Sequence, residues 1–247
     1  MEIFPAAEWD FYICEIEGAP HSTLVDMSLI NRAPIHGLSI FHCLEVGLRF
    51  PDPAHGMTTD DEVPELDRLE KLIEKNNAVD FKYVARQTGN QSRKFYFYAS
   101  ESFNFKSLLD AVEQAFPVYE ASTFNFEDAR WDTYCDNLYP NEIGLNEILN
   151  RRVCSELLKN GDDLDVAREV DHFVMMDNKR NAKAFLAEVK AQGFDVTMQS
   201  EGFLKKTYTL HIRKMDAPAA LDHVTLELSR LALRLGGEYD GWGCSVA

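Results

Sequence analysis

The second half of the chain alternates clearly between helical and strand-like hydrophobic patterns. Apolar residues at period two, with β-branched and aromatic enrichment, predict strands at 170–176, 194–199, 208–213 and 237–244. Spacings of three and four predict a helix capped by Asp177 and a second over 221–235, after an amphipathic stretch at 148–157. The order strand–helix–strand–strand–helix–strand predicts a ferredoxin-like βαββαβ domain. Its leucine stripe is expected to face the sheet rather than a dimer seam.

The first half is predicted to repeat this order from Gly37 onward, after additional N-terminal strands. The expected elements are strands within 9–18, 22–31 and 37–46, a helix from about 61, a hairpin around "TGNQS", a helix at 104–115, a strand at 118–126 and a short helix within 128–140. An irregular loop at 47–60 is expected to be a solvated crossover. The fold class is therefore α+β, with two α/β-sandwich domains over 1–145 and 146–247.

Composition is that of a folded protein. The 247 residues are 45% apolar and 27% charged, and no apolar run reaches the roughly 20 residues that span a bilayer. The start, "MEIFPAAEWD", lacks the basic and then apolar pattern of an export signal. Five cysteines without a CxxC pair indicate reduced thiols. We expect a cytoplasmic protein.

The net charge of −16 is unevenly divided. Residues 1–145 hold 25 acidic and 11 basic side chains, a formal charge of −14, whereas residues 146–247 carry only −2. An acidic surface repels phosphate backbones, which disfavours direct nucleic-acid binding and favours a basic protein partner. The alternative is that the acidity serves solubility alone.

The sequence carries no recognisable catalytic motif. It has no glycine-rich phosphate loop, no GxSxG, no HExxH and no paired histidines at helical spacing, so neither a metal site nor a cofactor is predicted. His172 and His211 fall on strands expected to be neighbours at the centre of the second sheet. An enzyme using either histidine with Cys244 is an alternative, but a non-enzymatic protein is favoured.

The stretch "GGEYDGWG", 236–243, places four glycines around a tyrosine, an aspartate and a tryptophan. Period two predicts Tyr239 and Gly241 on one face of an edge strand, and Asp240 and Trp242 on the other. Interior glycines mark a bulge or a close approach, so Trp242 is placed to meet another surface. The alternative is that the indole folds over its own sheet while the glycines make room.

These observations give one predicted protein-binding site. Its residues are Tyr239, Asp240, Gly241, Trp242, His172 and His211. RNA binding through the open sheet face is disfavoured, because the third strand offers no aromatic side chain on that face.

Several segments resemble known families. "GEYDGWG" at 237–243, supported by "LLKNGDD", "DHFVM" and "GFDVT", resembles the family called regulator of ribonuclease E activity B (RraB). "WDFY", "KFYFY" and "RWDTYCDNLYP" in the first half resemble a bacterial domain of unknown function that is commonly fused ahead of it. The resemblance implies a ferredoxin-like domain that inhibits a ribonuclease by docking on it.

One departure from that family bears on its partner. Members that resemble the founding regulator are strongly acidic and carry an acidic C-terminal tail, whereas this sequence stops at Ala247 and its matching domain is only −2. We therefore expect the acidic first domain to supply electrostatic steering. The alternative is that the protein is an immunity-type inhibitor of another basic enzyme.

Overall fold

The computed structural model describes residues 6–75, 80–201 and 207–247. The chain divides into two units, Met1–Asn141 and Glu142–Ala247. The second unit starts where a long helix begins, four residues before the boundary drawn from sequence. The expected turn within "EGFLKK" lies outside the described residues from Gly202 onward, as does "MEIFP" at the start.

The first unit is a six-stranded antiparallel sheet in the order β1-β2-β4-β5-β3-β6. Its elements are β1 Trp9–Ile16, β2 Ala19–Asp26, β3 Ile40–Gly47, α1 Val63–Glu74, β4 Phe81–Gly89, β5 Ser92–Ala99, α2 Phe105–Ala115 and β6 Ala121–Glu127. From β3 onward these elements follow the βαββαβ order, and the β1–β2 hairpin extends the sheet beyond β4. This confirms the predicted sandwich with extra N-terminal strands.

Both faces of the first sheet are covered. Alternation along β4 and β5 sends one set of aromatic side chains beneath α1 and α2, where Phe81, Tyr83, Phe95 and Phe97 are fully buried. On the other face, Tyr98 stacks on Trp131 with ring centroids 3.9 Å apart. Trp131 belongs to the segment expected to form a short final helix, which contains a π-helical turn, Thr133–Leu138.

The second unit is a four-stranded antiparallel sheet in the order β10-β7-β9-β8, the ferredoxin-like arrangement. Its elements are α3 Glu142–Lys159, β7 Arg168–Met176, α4 Lys179–Ala191, β8 Asp195–Glu201, β9 Thr207–Asp216, α5 Asp222–Arg234 and β10 Gly237–Cys244. The leucine stripe of α5 faces the core, because Leu228 and Leu231 are buried against the sheet. The fold class predicted from the sequence is confirmed.

Local boundaries differ from the prediction where side chains cap the elements. α4 is capped by Asn178 rather than Asp177, since the Asn178 side chain accepts hydrogen bonds from the backbone N–H groups of Arg180 and Asn181. β2 ends early because the Asp26 carboxylate caps a 3₁₀ turn, Met27–Leu29. Across the described ranges, no helix has both the length and the apolar character needed to cross a membrane.

Candidate functional site

A β-bulge lies at the centre of the predicted site. β10 pairs with β7 so that Tyr239 lies opposite Val174 and Trp242 opposite His172, with an irregularity between them. Three steps along β10 therefore match two steps along β7, and Gly241 has a φ of +98°. The extra residue brings Tyr239 and Trp242 to the same face of the sheet. The prediction that they face opposite sides is wrong, because simple alternation does not include the inserted residue.

Trp242 is a core residue. Only 8% of it is exposed, and its indole packs with Leu157, Val170 and Leu221 beneath the helices. Its Nε1–H donates to Asn150 Oδ1 at 2.8 Å. The indole therefore folds over its own sheet, as the alternative interpretation had it, and only a small part of it remains exposed at the surface.

Asn150 explains why the indole turns inward. Its side-chain N–H groups donate to Asp222 Oδ1 at 2.6 Å and to Thr225 Oγ1 at 2.8 Å, while its oxygen accepts from Trp242. All the polar atoms of this buried amide thus have partners, and they join α3 to α5 and β10. The sequence analysis missed Asn150; its only signal was a polar residue beside the apolar positions of an amphipathic helix.

His172 and Tyr239 form a buried hydrogen-bonded pair. His172 is fully buried, and its Nδ1 lies 2.8 Å from the Tyr239 hydroxyl. Burial lowers the pKa of His172 to about 4, although Asp216 and Asp171 act in the opposite direction. Burial also raises the pKa of Tyr239 well above its ordinary value. Both groups are neutral at neutral pH, and His172 cannot touch a partner directly.

His211 lies on the other face of the sheet, away from His172. The two strands are neighbours as predicted, but His211 pairs in register with Phe173, whereas His172 pairs with Ile212. The His211 ring stacks on Phe173 at 4.9 Å, and its Nε2 lies 2.6 Å from Asp171 Oδ1. Sequence reasoning missed Phe173 on this open face, although period two along β7 was sufficient to place it there.

The structure does not bring the three candidate reactive groups together at one place. His172 and His211 project to opposite faces, and Cys244 Sγ lies 3.3 Å from Arg168 Nε. Within residues 6–75, 80–201 and 207–247, no three His, Cys, Asp or Glu side chains are grouped so that they could hold a metal ion.

A groove of about 590 Å³ runs between α3, α5 and the bulged part of β10. Tyr239 and Trp242 line it from the strand, and the bulge residues Asp240 and Gly241 also contribute to its lining. The α3 side contributes three apolar side chains, Leu145, Leu149 and Val153. Four of the six predicted site residues thus meet at one concave surface, whose volume is typical of binding pockets.

The α3 wall of the groove is an apolar face that the sheet of this unit leaves uncovered. Leu149 is 58% exposed, whereas its neighbour Ile148 is 1% exposed. Leu145, Leu149 and Val153 follow one another at spacings of four, so they form a ridge along α3. The sequence contained a signal for this exposed ridge, because the apolar residues of α3 occupy more than one face of the helix.

Charged groups flank the apolar lining. Asp240 is exposed at the bulge, and Glu142 accepts from Arg230 Nη2 at 2.5 Å across the α3–α5 contact. The side-chain hydrogen bond to Arg230 holds the pKa of Glu142 below its ordinary value. The groove is therefore an apolar channel with ionised side chains at its lining, a composition suited to a segment of another protein.

Each half of the chain matches a family model. The model described as "Family of unknown function (DUF695)" matches residues 7–139, more than half of the chain. The chain belongs to this family. The model "Regulator of ribonuclease activity B" (RraB) matches residues 147–244, which confirms the resemblance carried by the 237–243 stretch. This name describes a regulator, which is consistent with a protein-binding role.

Other comparisons add little. No curated protein matches the chain. Similar solved structures include an unknown protein from Galdieria sulphuraria, 13% identical over 83% of this chain and 99% of its own. A putative glycine cleavage system transcriptional repressor is 12% identical over 84% and 98%. Each has a TM-score of 0.24, at which the likeness supports no conclusion about fold or function.

Proposed function

We propose that this chain is a non-enzymatic regulator that modulates a ribonuclease by binding to it, with the groove between α3 and β10 as its docking site. The observation that carries the proposal is that four residues of the 237–243 stretch, which lies within the part that matches the RraB family, line this groove: Tyr239, Asp240, Gly241 and Trp242. The local geometry favours glycine at two positions of this stretch. A Cβ on Gly237 would lie 2.7 Å from the Met175 carbonyl oxygen, and Gly241 has a positive φ at the bulge.

The lining supports binding of a protein segment. An apolar side chain of the partner would lie between the Leu149 ridge and the Tyr239 ring, removing from water a leucine that is 58% exposed. Fully burying an exposed leucine contributes about 1.5 to 3 kcal/mol, and burying the exposed part of Leu149 contributes roughly half of that. Exposed Asp240 at the rim offers a carboxylate to a cationic group on the partner.

Charge in the first half supports steering of that partner. Residues 1–145 carry −14, and a region of one sign raises the association rate of an oppositely charged protein. In this proposal the first half accelerates encounter, and the groove in the second unit provides the specific contact.

A pair of matched variants tests the docking site. Leu149 and Leu158 both lie on α3 and are 58% and 56% exposed, but only Leu149 lines the groove. The full chain and its ribonuclease from the same cell would be studied by calorimetry and by the rate of RNA cleavage. We expect Leu149→Glu to weaken binding by about tenfold or more, because it places a charge in an apolar contact. Leu158→Glu should leave binding and cleavage unchanged.

Two outcomes would contradict the proposal. Wild-type chain that neither binds the ribonuclease nor alters its cleavage rate excludes ribonuclease regulation. Equal weakening by both glutamate variants excludes the groove as the docking site, because charge alone would then explain the loss. Circular dichroism of both variants controls for folding.

The acidity of residues 1–145 favours one second candidate, an immunity-type inhibitor of another basic enzyme. That function predicts binding that collapses with salt, because it depends mainly on exposed charges. It also predicts insensitivity to Leu149→Glu. Affinity capture from the native cell, at low and high salt, would distinguish the two partners by their identity.

A further inference from the structure

The four edge strands of the two sheets are protected from further pairing to different degrees. β1 carries Asp10 and Glu15, β8 carries Asp195, and β10 carries Glu238 and Asp240 together with a bulge. Charges and bulges on edge strands prevent pairing with other chains. From Ala121 to Phe126, β6 has no charged residue and no bulge. Its single charged residue is Glu127, at the last position.

β6 is also exposed and aromatic. Six of its seven residues are exposed, and Phe124 and Phe126 are 48% and 44% exposed. Both rings lie on the same face against Phe41 of β3, with centroids at 6.4 Å and 5.0 Å. Their own ring planes are within 5° of parallel. The edge therefore presents a regular strand with two aligned aromatic rings.

We propose that β6 pairs with β6 of a second copy of this chain, joining two six-stranded sheets into one. Charge selects this occupant over a basic protein segment. Ala121–Phe126 has no carboxylate to attract cations, whereas an uncharged strand can lie against its own copy without placing like charges opposite each other.

The register follows from twofold symmetry. In an antiparallel pair centred on Asn125, Phe124 of each copy lies opposite Phe126 of the other, so four rings meet on one face. Glu127 then lies opposite Thr123, and no carboxylate faces another. Centring the pair on Phe124 instead leaves each Phe126 opposite Ser122 and forms one aromatic pair rather than two. The Asn125-centred register is therefore favoured.

Two lysine substitutions on one face of β6 test this register. Asn125→Lys places two ammonium groups opposite each other at the twofold axis, whereas Thr123→Lys places each one opposite Glu127 of the second copy. Both positions are exposed, so neither change disturbs the core. Asn125→Asp repeats the repulsion with the opposite sign. Circular dichroism checks that each variant folds.

Sedimentation velocity of the full chain over about 1 to 100 µM measures the self-association. We expect wild type to dimerise, Asn125→Lys and Asn125→Asp to weaken the dimer by about tenfold or more, and Thr123→Lys to preserve it. Added salt should tighten the wild-type dimer, because it screens the repulsion between two copies of net charge −16.

Three results would overturn the proposal. If the wild-type chain stays monomeric at about 100 µM, the proposed dimer is excluded. A dimer that Asn125→Lys leaves intact shows that copies associate elsewhere. Equal weakening by Thr123→Lys and Asn125→Lys contradicts the register, because only one of them creates repulsion at the symmetry axis.

Discussion

The two units share one topology and differ at the edge that follows their second crossover helix. The strand orders β6-β3-β5-β4 and β10-β7-β9-β8 are equivalent, so β6 and β10 occupy the same place in each sheet. β6 is regular and has six exposed residues, whereas β10 is bulged, with α3 anchored to it through the Asn150–Trp242 hydrogen bond. Equivalent strands therefore present very different surfaces.

What is added to each sheet accounts for the difference. The first unit adds the β1–β2 hairpin beyond β4 and covers its second face with the Trp131 segment. The second unit adds α3 beside β10 and carries Phe173 and His211 on its other face. The shared topology provides the scaffold. The groove also depends on α3, which the second unit adds, whereas the β6 edge belongs to the shared strands.

The largest expected effect comes from removing the tryptophan that anchors each added segment. Trp131 is fully buried and donates to the Leu38 carbonyl oxygen at 2.7 Å, while Trp242 donates to Asn150 at 2.8 Å. We expect Trp131→Ala and Trp242→Ala each to lower the free energy of unfolding by about 3 to 5 kcal/mol. Urea unfolding followed by circular dichroism measures the loss, with separate transitions expected for the two units.

An exposed apolar residue provides the control for these variants. Leu233 on α5 is 74% exposed, and Leu233→Ala should change stability by no more than about 0.5 kcal/mol. If Trp242→Ala kept full stability but abolished partner binding, the indole would be a contact residue rather than an anchor. In that case β10, like β6, would present an aromatic side chain to another molecule.

The next largest expected effect is that the stability of the second unit depends on pH. The pKa of His172 is lowered to about 4 by burial, so the unfolded chain binds a proton more readily than the folded one between pH 6.5 and 4. Stability of the second unit is therefore full above about pH 6.5 and is lost as the pH falls towards 4. The shift corresponds to about 3 kcal/mol. Urea unfolding at a series of pH values measures it.

Comparison with the first unit separates this effect from general acid unfolding. Burial also lowers the pKa of His42, which stacks on Phe105, so the first unit shares the direction of the effect. His172→Asn should flatten the dependence of the second unit and leave that of the first unchanged. An unaltered slope for the second unit would show that His172 does not control its acid response.

The sequence was sufficient to predict the topology because the relevant signals are local. Period two identifies strands, spacings of three and four identify helices, and each pattern needs only the residues of its own element. The same reasoning placed the leucines of α5 in the core and the final strand at an edge. Capping was less certain, because Asp177 and Asn178 are both suitable N-caps and only the backbone geometry distinguishes them.

The candidate site could be predicted only in part. The glycines around Trp242 signalled an irregular strand, but a bulge is defined by the register with the partner strand, here β7. Without that register, period two assigned Tyr239 and Trp242 to opposite faces. Asn150 lies 92 residues before Trp242, so no local pattern connects them. The groove depends on both features and could not be predicted from either segment alone.

The smallest expected effect tests the bulge itself. Gly241 has a φ of +98° and open space around its Cβ position, whereas Gly243 has similar space without a positive φ. Gly241→Ala should therefore cost about 1 kcal/mol through backbone strain alone, and Gly243→Ala should be nearly neutral. Urea unfolding measures both. Equal costs for the two alanines would show that the positive φ at position 241 imposes no measurable strain on a residue that has a Cβ.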